Sequence, residues 1–264
     1  MFSFLNNISP VTKNLLLLNI FFFLAANIID PNVIDLNNLL SGHYFNSPLF
    51  KPFQIITHFF MHADIRHIFF NMFGLVIFGS FLESRWGAKR FFIFYFVSAL
   101  GSIVLFNSIG VYEIYQLKKQ LATVLTSIQM DEINALIENH PRDNDIFKLV
   151  DPILVNTSLN QDEVNSIVKY IVQCNSSIVG ASGAVFGIMA AFAILFPNTE
   201  MMLMFIPFPI KAKFLVGGYF VYEVIQTFTA SATDNVAHLA HVGGAIVGAA
   251  MVLYWRKFDK KNFW

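Results

Sequence analysis

Ser182 sits in the run GASGAVFG at residues 180–187, and His241 sits in AHVGGAIVG at residues 240–248. A serine hydroxyl attacks a carbonyl carbon once a base takes its proton, and imidazole is the side chain best suited to that task near neutral pH. His67 and Asn71, four residues apart in HFFMHADIRHIFFNMFG, share one face of a helix and can aim donors at one point. Such donors suit the oxyanion that a serine attack creates. Each feature also has a plainer reading. Gly183 and Gly187 form a small-xxx-small pair of the kind that lets membrane helices pack closely, and G-x-S-G is a short pattern.

His241, Gly244 and Gly248 fall within about 60° of one another on a helix turning 100° per residue, so an imidazole lies on a glycine-lined stripe. A histidine within an apolar span is costly to bury without a partner, which makes it a functional candidate. His238 lies nearly a turn closer to the aqueous surface and reads as a partly hydrated interfacial residue. His58 and His62 are also four apart. No H-E-x-x-H accompanies them and no third ligand is suitably spaced, so structural hydrogen bonding is favoured over zinc and no metal is expected. Two readings of Glu223 stand side by side, a side chain facing a water-filled cavity and one bonded to a neighbouring helix.

These residues need elements that hold them, and composition says which kind. The chain has 264 residues, 56% of them hydrophobic and 13% charged, with 31 Phe and a mean hydropathy of +0.58. That is far too apolar for an ordinary soluble domain and implies a membrane protein. The 17 basic and 17 acidic side chains cancel, so a nucleic-acid partner is not expected. The lone Cys174 makes no intrachain disulfide.

Six segments are long and apolar enough to be read as spans, at 14–29, 55–82, 91–111, 177–197, 214–230 and 236–255. A cleaved signal peptide is the competing reading of the first. With six spans, one set of ends collects Lys13, Arg85, Lys89, Arg90, Lys211, Lys213, Arg256, Lys257, Lys260 and Lys261. The positive-inside rule then places both termini in the cytoplasm and the segment 112–176 outside. That segment is acidic, patterned as helices, and carries Asn160 and Glu163 at capping-box spacing before a stripe of Val164, Ile167, Val168 and Ile171.

Taken together, HFFMHADIRHIFFNMFG, GASGAVFG and AHVGGAIVG on the second, fourth and sixth spans resemble the rhomboid intramembrane serine proteases. The resemblance implies hydrolysis of peptide bonds in or near transmembrane segments by a Ser-His dyad without an acid, and no cofactor. By position Ser182 matches the nucleophile and His241 the base. His67, Asn71 and the Ser182 backbone N–H match the oxyanion donors, and Phe186 the ring that packs on the catalytic imidazole. Gly180, Gly183, Gly244 and Gly248 match the supporting glycines. Many relatives carry a Trp-Arg pair where this chain has Phe53 and Gln54, which leaves open how its first loop is anchored.

The expected fold is therefore an all-α membrane protein, a six-transmembrane-helix rhomboid-like bundle with a helical extracytoplasmic insertion between helices 3 and 4. Its parts would be 1–111, 112–176 and 177–264. The expected partners are transmembrane protein substrates and the lipid bilayer, and the expected location is a bacterial inner membrane. A pseudoprotease that binds without cutting and a small transporter are the competing functions. The pseudoprotease reading is weakened by the presence of both Ser182 and His241, and a transporter has no need of His67 and Asn71.

Overall fold

The computed structural model describes residues 7–141, 145–202, 208–229 and 237–259. The expected span limits at 230 and 236, together with Lys260 and Lys261, lie outside them. Helix α1 (Pro10–Ile28) starts with Pro at its first turn. Its free N–H groups are capped from a distance: the buried Glu83 carboxylate accepts from Val11 N, Thr12 N and Thr12 Oγ1, each at 2.8 Å. A carboxylate there satisfies orphan donors and the positive helix end together. The start of the helix is thus tied to Glu83, some 70 residues further along the chain.

The first loop holds α2 (Leu36–Leu40) and a short strand β1 (Gly42–His43). The expected second span is not one helix. It is split into α3 (Gln54–Thr57), a 3-10 turn (His58–Phe60), and a fresh helix α4 (Ile65–Gly74). The break has a local cause. Met61 is extended, and the Asp64 carboxylate accepts from Arg66 N and His67 N, which restarts the helix after it. A π-turn (Leu75–Gly79) carries α4 into α5 (Ser80–Trp86).

Gly87, at φ +81°, turns the chain into α6 (Ala88–Leu121). Its 34 residues make a rod about 51 Å long, well beyond a hydrocarbon core of about 30 Å. The helix runs ten residues past the expected limit at Val111, because polarity in 112–121 removes the lipid without supplying a Gly or Pro to end the helix. It is followed by α7 (Ser127–Asn139), α8 (Ile146–Leu154) and α9 (Gln161–Asn175). The capping box at Asn160 and Glu163 forms as the sequence implies. The apolar stripe is displaced: Ile167, Tyr170, Ile171 and Cys174 are buried, whereas Val164 and Val168 are each 38% exposed. The long Tyr170 side chain sets the inward face, with its hydroxyl bonded to Asn134 Oδ1 at 2.7 Å.

Burial pushes the Cys174 thiol up to about 11, leaving roughly one thiolate per thousand at pH 8. A maleimide is expected to leave Cys174 unlabelled in the folded protein and to label it fully in SDS. Rapid labelling under native conditions would contradict the packing of α9.

Strand β2 (Ser177–Ile178) pairs antiparallel with β1, after which α10 (Ser182–Leu195) begins. The expected fourth span, 177–197, thus becomes helical only at Ser182. Gly180, at φ +112°, breaks the chain between α9 and α10. A hairpin of β3 (Glu200–Met201) and β4 (Ile210–Lys211) leads to α11 (Ala212–Thr229), and α12 (His238–Phe258) closes the bundle.

Helix α10 is the central post, with α6 and α12 against it. The approach is so close that a Cβ on Gly244 would lie 1.9 Å from Gly183 O, and one on Gly248 2.6 Å from the Gly187 Cα. Gly244→Val is expected to cost at least the upper part of the usual overpacking range of about 1–3 kcal/mol, read as a lower unfolding temperature. Gly217→Ala is the control. Nothing lies within 4 Å of a Cβ at that position on α11, so its unfolding temperature should hold or rise.

Among the described residues, four helical stretches have the length and apolarity to cross a membrane: Pro10–Ile28, Ile65–Trp86, Ala88–Leu121 and His238–Phe258. Helix α10 is apolar but only 14 residues long, about 21 Å, and α11 carries Lys213 and Glu223. Arg85 and Arg90 lie where α5, α6, α10 and α12 end or begin. Arg90 pairs with Asp259 and lies over Trp255, Trp86 packs on Trp255, and Arg85 lies 5.9 Å from the Phe196 ring centre.

Candidate active site

The N-terminus of α10 carries Ser182 in its first turn, with no side chain capping it. The first N–H groups of any helix lack intrahelical partners, so this end presents backbone donors beside the hydroxyl. From α12, His241 Nε2 meets Ser182 Oγ at 2.9 Å. The Phe186 ring, one turn along α10, stacks on the imidazole with centroids 4.3 Å apart and planes 9° apart. The four supporting glycines have distinct places. Gly183, Gly244 and Gly248 bring α10 and α12 into backbone contact, and Gly180 lies where a Cβ would approach His67 Nε2 to 2.7 Å and Ser182 Oγ to 3.6 Å.

That last pair of distances brings His67 and Ser182 to one point. Ala63 N donates to His67 Nδ1 at 3.3 Å, so the proton of the neutral ring resides on Nε2, the nitrogen facing Gly180. Asn71 is buried one turn along α4 and donates from Nδ2 to His67 O at 2.9 Å, while its Oδ1 is buried with no partner. The second hydrogen of that amide is left for another acceptor. The structure thus brings a helix N-terminus and an imidazole N–H to the surroundings of Ser182 Oγ, with Asn71 one turn along α4 from His67.

A sequence model of the rhomboid domain matches residues 50–115 and 161–258. The chain belongs to the rhomboid family. The match covers every residue of the site and passes over 116–160, the outer part of the expected insertion, while including all of α9. RHOMBOID-like protein 12, mitochondrial, of Arabidopsis thaliana is 26% identical over 232 residues, 88% of this chain and 51% of its own length. Rhomboid protein 1, mitochondrial, of Saccharomyces cerevisiae is 24% identical over 234 residues, 85% of this chain and 46% of its own. Rhomboid-like protease 3 of Toxoplasma gondii is 37% identical over 65 residues, 24% of each chain. This rhomboid spans about half the length of the first two.

Its first loop is anchored without a Trp-Arg pair. Gln54 is buried and accepts from His43 N and Lys51 N while donating to Leu39 O and Leu49 O. Further along, the Tyr44 ring stacks on Phe106 and lies over Gly110, and Ser47 Oγ donates to Cys174 O at 2.6 Å. The loop is thereby sandwiched between α6 and α9. His58 Nδ1 donates to Gln54 O at 2.6 Å, and its own carbonyl accepts from Gly180 N. His62 packs edge-on against His67, 5.0 Å between centroids, so His58 and His62 do not converge as ligands.

One reading of the rhomboid site from sequence needs correction, and one open choice is closed. His238 is not a hydrated interfacial residue: it is 5% exposed and its Nδ1 donates to Glu223 Oε2 at 2.6 Å. Glu223 has its oxygen bonded to the neighbouring helix, since His241 Nδ1 donates to the same Oε2 at 3.0 Å. The second of its two open readings therefore holds. The pairing links α11 to α12 across 15 and 18 residues, a separation at which no helical periodicity operates.

Proposed function

We propose that this protein is an intramembrane serine endopeptidase, hydrolysing peptide bonds in or near transmembrane segments of other membrane proteins. The observation that carries the reading is the 2.9 Å contact of Ser182 Oγ with His241 Nε2 at the open N-terminus of α10. Ser182 Oγ attacks the scissile carbonyl carbon as its proton passes to His241 Nε2, and the carbonyl oxygen becomes an oxyanion beside His67, Asn71 and the Ser182 N–H. Collapse of the tetrahedral species expels the new amine, which takes the proton from His241. Water then attacks the ester, again through His241, and frees Ser182. A protein that bound without cutting would have no use for the aligned hydroxyl and imidazole.

The shortness of α10 supports access by water. If its far end, near Arg85, lies at the basic face of the membrane, Ser182 falls about 9 Å short of the opposite limit of the hydrocarbon core. Substrate would approach from the α11 side. Among its described residues only Ala212, Val216 and Glu223 are buried, Tyr219, Tyr222, Ile225 and Phe228 are exposed, and a cavity of about 320 Å³ lined by Phe186, Tyr219 and Ala245 lies behind it. Six crossings, with both termini on the basic side and 112–176 opposite, complete the proposed topology. The mitochondrial names of two relatives give no support to a bacterial inner membrane.

The test is cleavage of a model single-span substrate by purified protein in lipid vesicles, with the products sized by mass spectrometry. A cut inside or within a few residues of the substrate span is expected. Cleavage confined to soluble unfolded protein, with the membrane substrate intact, would contradict the proposal.

A further inference from the structure

A serine and a histidine are enough for a dyad, which leaves the buried Glu223 carboxylate without an assigned task. Of the two buried acids among the described residues, Glu83 is accounted for by the N-terminus of α1. Glu223 is 1% exposed, and one of its oxygens receives two imidazole nitrogens. We propose that Glu223 is a positioning residue of the proteolytic centre, holding His241 from behind so that the Ser-His pair works as a Ser-His-Glu relay. The inference rests on the endopeptidase reading and adds a third member to it.

An ionised carboxylate accepts hydrogen bonds and donates none, so the proton on each contacting ring is on Nδ1. For His241 that choice leaves the Nε2 lone pair facing Ser182 Oγ, the arrangement a general base needs. The stack on Phe186 fixes the plane of the ring and cannot do this, because it accommodates either tautomer, and a half-turn about Cβ–Cγ keeps the plane while putting Cδ2 and Cε1 where Nδ1 and Nε2 stood. Glu223 removes the ambiguity. It also sets a fixed negative charge 3.0 Å from a ring that becomes cationic when it takes the serine proton, and the proton stays on the imidazole throughout.

His238 completes the device. It stands three residues before His241 on α12, so the two Nδ1 atoms reach one carboxylate oxygen from one helix face. Its hydrogen bond holds the carboxylate in place without touching Ser182. Because Glu223 arrives on α11, whose other buried described residues are Ala212 and Val216, the imidazole is held only while α11 is seated against α12. The same three side chains bring donor atoms within 4.8 Å of one another, a spacing that would also suit a divalent cation. The hydrogen-bonded arrangement and the metal-bound one differ in their response to chelation.

The experiment compares wild type with Glu223→Gln, Glu223→Asp and Ser182→Ala as full-length protein in vesicles, measuring kcat and KM on the single-span substrate and the unfolding temperature. Glu223→Gln is expected to lower kcat about 10²- to 10⁴-fold at unchanged KM and near-unchanged unfolding temperature. Glu223→Asp, which keeps the charge, should recover much of that loss. A Glu223→Gln kcat within about threefold of wild type, with Ser182→Ala inactive, would overturn the inference and leave the dyad standing. An active Ser182→Ala would instead overturn the endopeptidase reading itself. If Glu223→Gln fails to fold, Glu223→Ala decides, a lowered kcat at unchanged KM supporting the positioning role and a wild-type kcat rejecting it. Loss of activity on chelation, restored by zinc, would replace the relay with a metal centre.

Discussion

Ser182→Ala and His241→Ala are each expected to lower cleavage of a transmembrane substrate by about 10⁴- to 10⁶-fold, because nucleophile and base act as one unit and losing either removes the same step. Ser182→Ala deletes one oxygen from the first turn of α10 and leaves the helix packing untouched, so its unfolding temperature should match wild type. His241→Ala also removes the stack on Phe186 and one partner of Glu223, and a modest stability loss is expected with it. His238→Ala provides the contrast. The carboxylate keeps its bond to His241, so turnover should fall by no more than about tenfold. Initial rates on the vesicle-bound substrate check all three, and an inactive His238→Ala beside an active His241→Ala would assign the base to the wrong histidine.

His67→Ala carries the next largest expected effect, a fall in kcat of about 100- to 1000-fold, the usual consequence of losing one oxyanion donor. The Nε2–H facing Gly180 is lost, and so is the ring against which His62 packs. Asn71→Ala should cost less. Its amide already donates to His67 O, and the α10 N-terminus and His67 remain to carry the oxyanion. The expected ranking in kcat is wild type, then Asn71→Ala, then His67→Ala, with KM nearly constant. Unchanged turnover in Asn71→Ala would remove that residue from the oxyanion site.

How much of this was legible in the sequence follows from the range of each interaction. Ser182, Gly183, Phe186 and Gly187 lie within two turns of one helix with Gly180 just before it, and His241, Gly244 and Gly248 lie on one stripe of another, so short patterns expose them. The partnership of Glu223 with His238 and His241 depends on how α11 docks against α12, and no local pattern encodes it. The break before α4 was readable in principle, since Asp64 followed by a helical run is an N-cap signal, but the apolar surroundings of 55–82 masked it. The length of α6 was hidden for the opposite reason: charge in 112–121 marks the change from lipid to water, and a helix crosses that change unless its backbone is interrupted. The role of Glu83 has no local signal, because its partners, Val11 and Thr12, lie some 70 residues earlier.

The central claim is that Ser182 is a nucleophile activated by His241, and covalent capture tests it most directly. The protein in vesicles is treated with a fluorophosphonate and digested, and the adduct is located by mass spectrometry. A single adduct on Ser182, absent from His241→Ala and strongly slowed in Glu223→Gln, is the predicted result. Labelling elsewhere in the chain, or equal labelling of Ser182 with His241 removed, would contradict it.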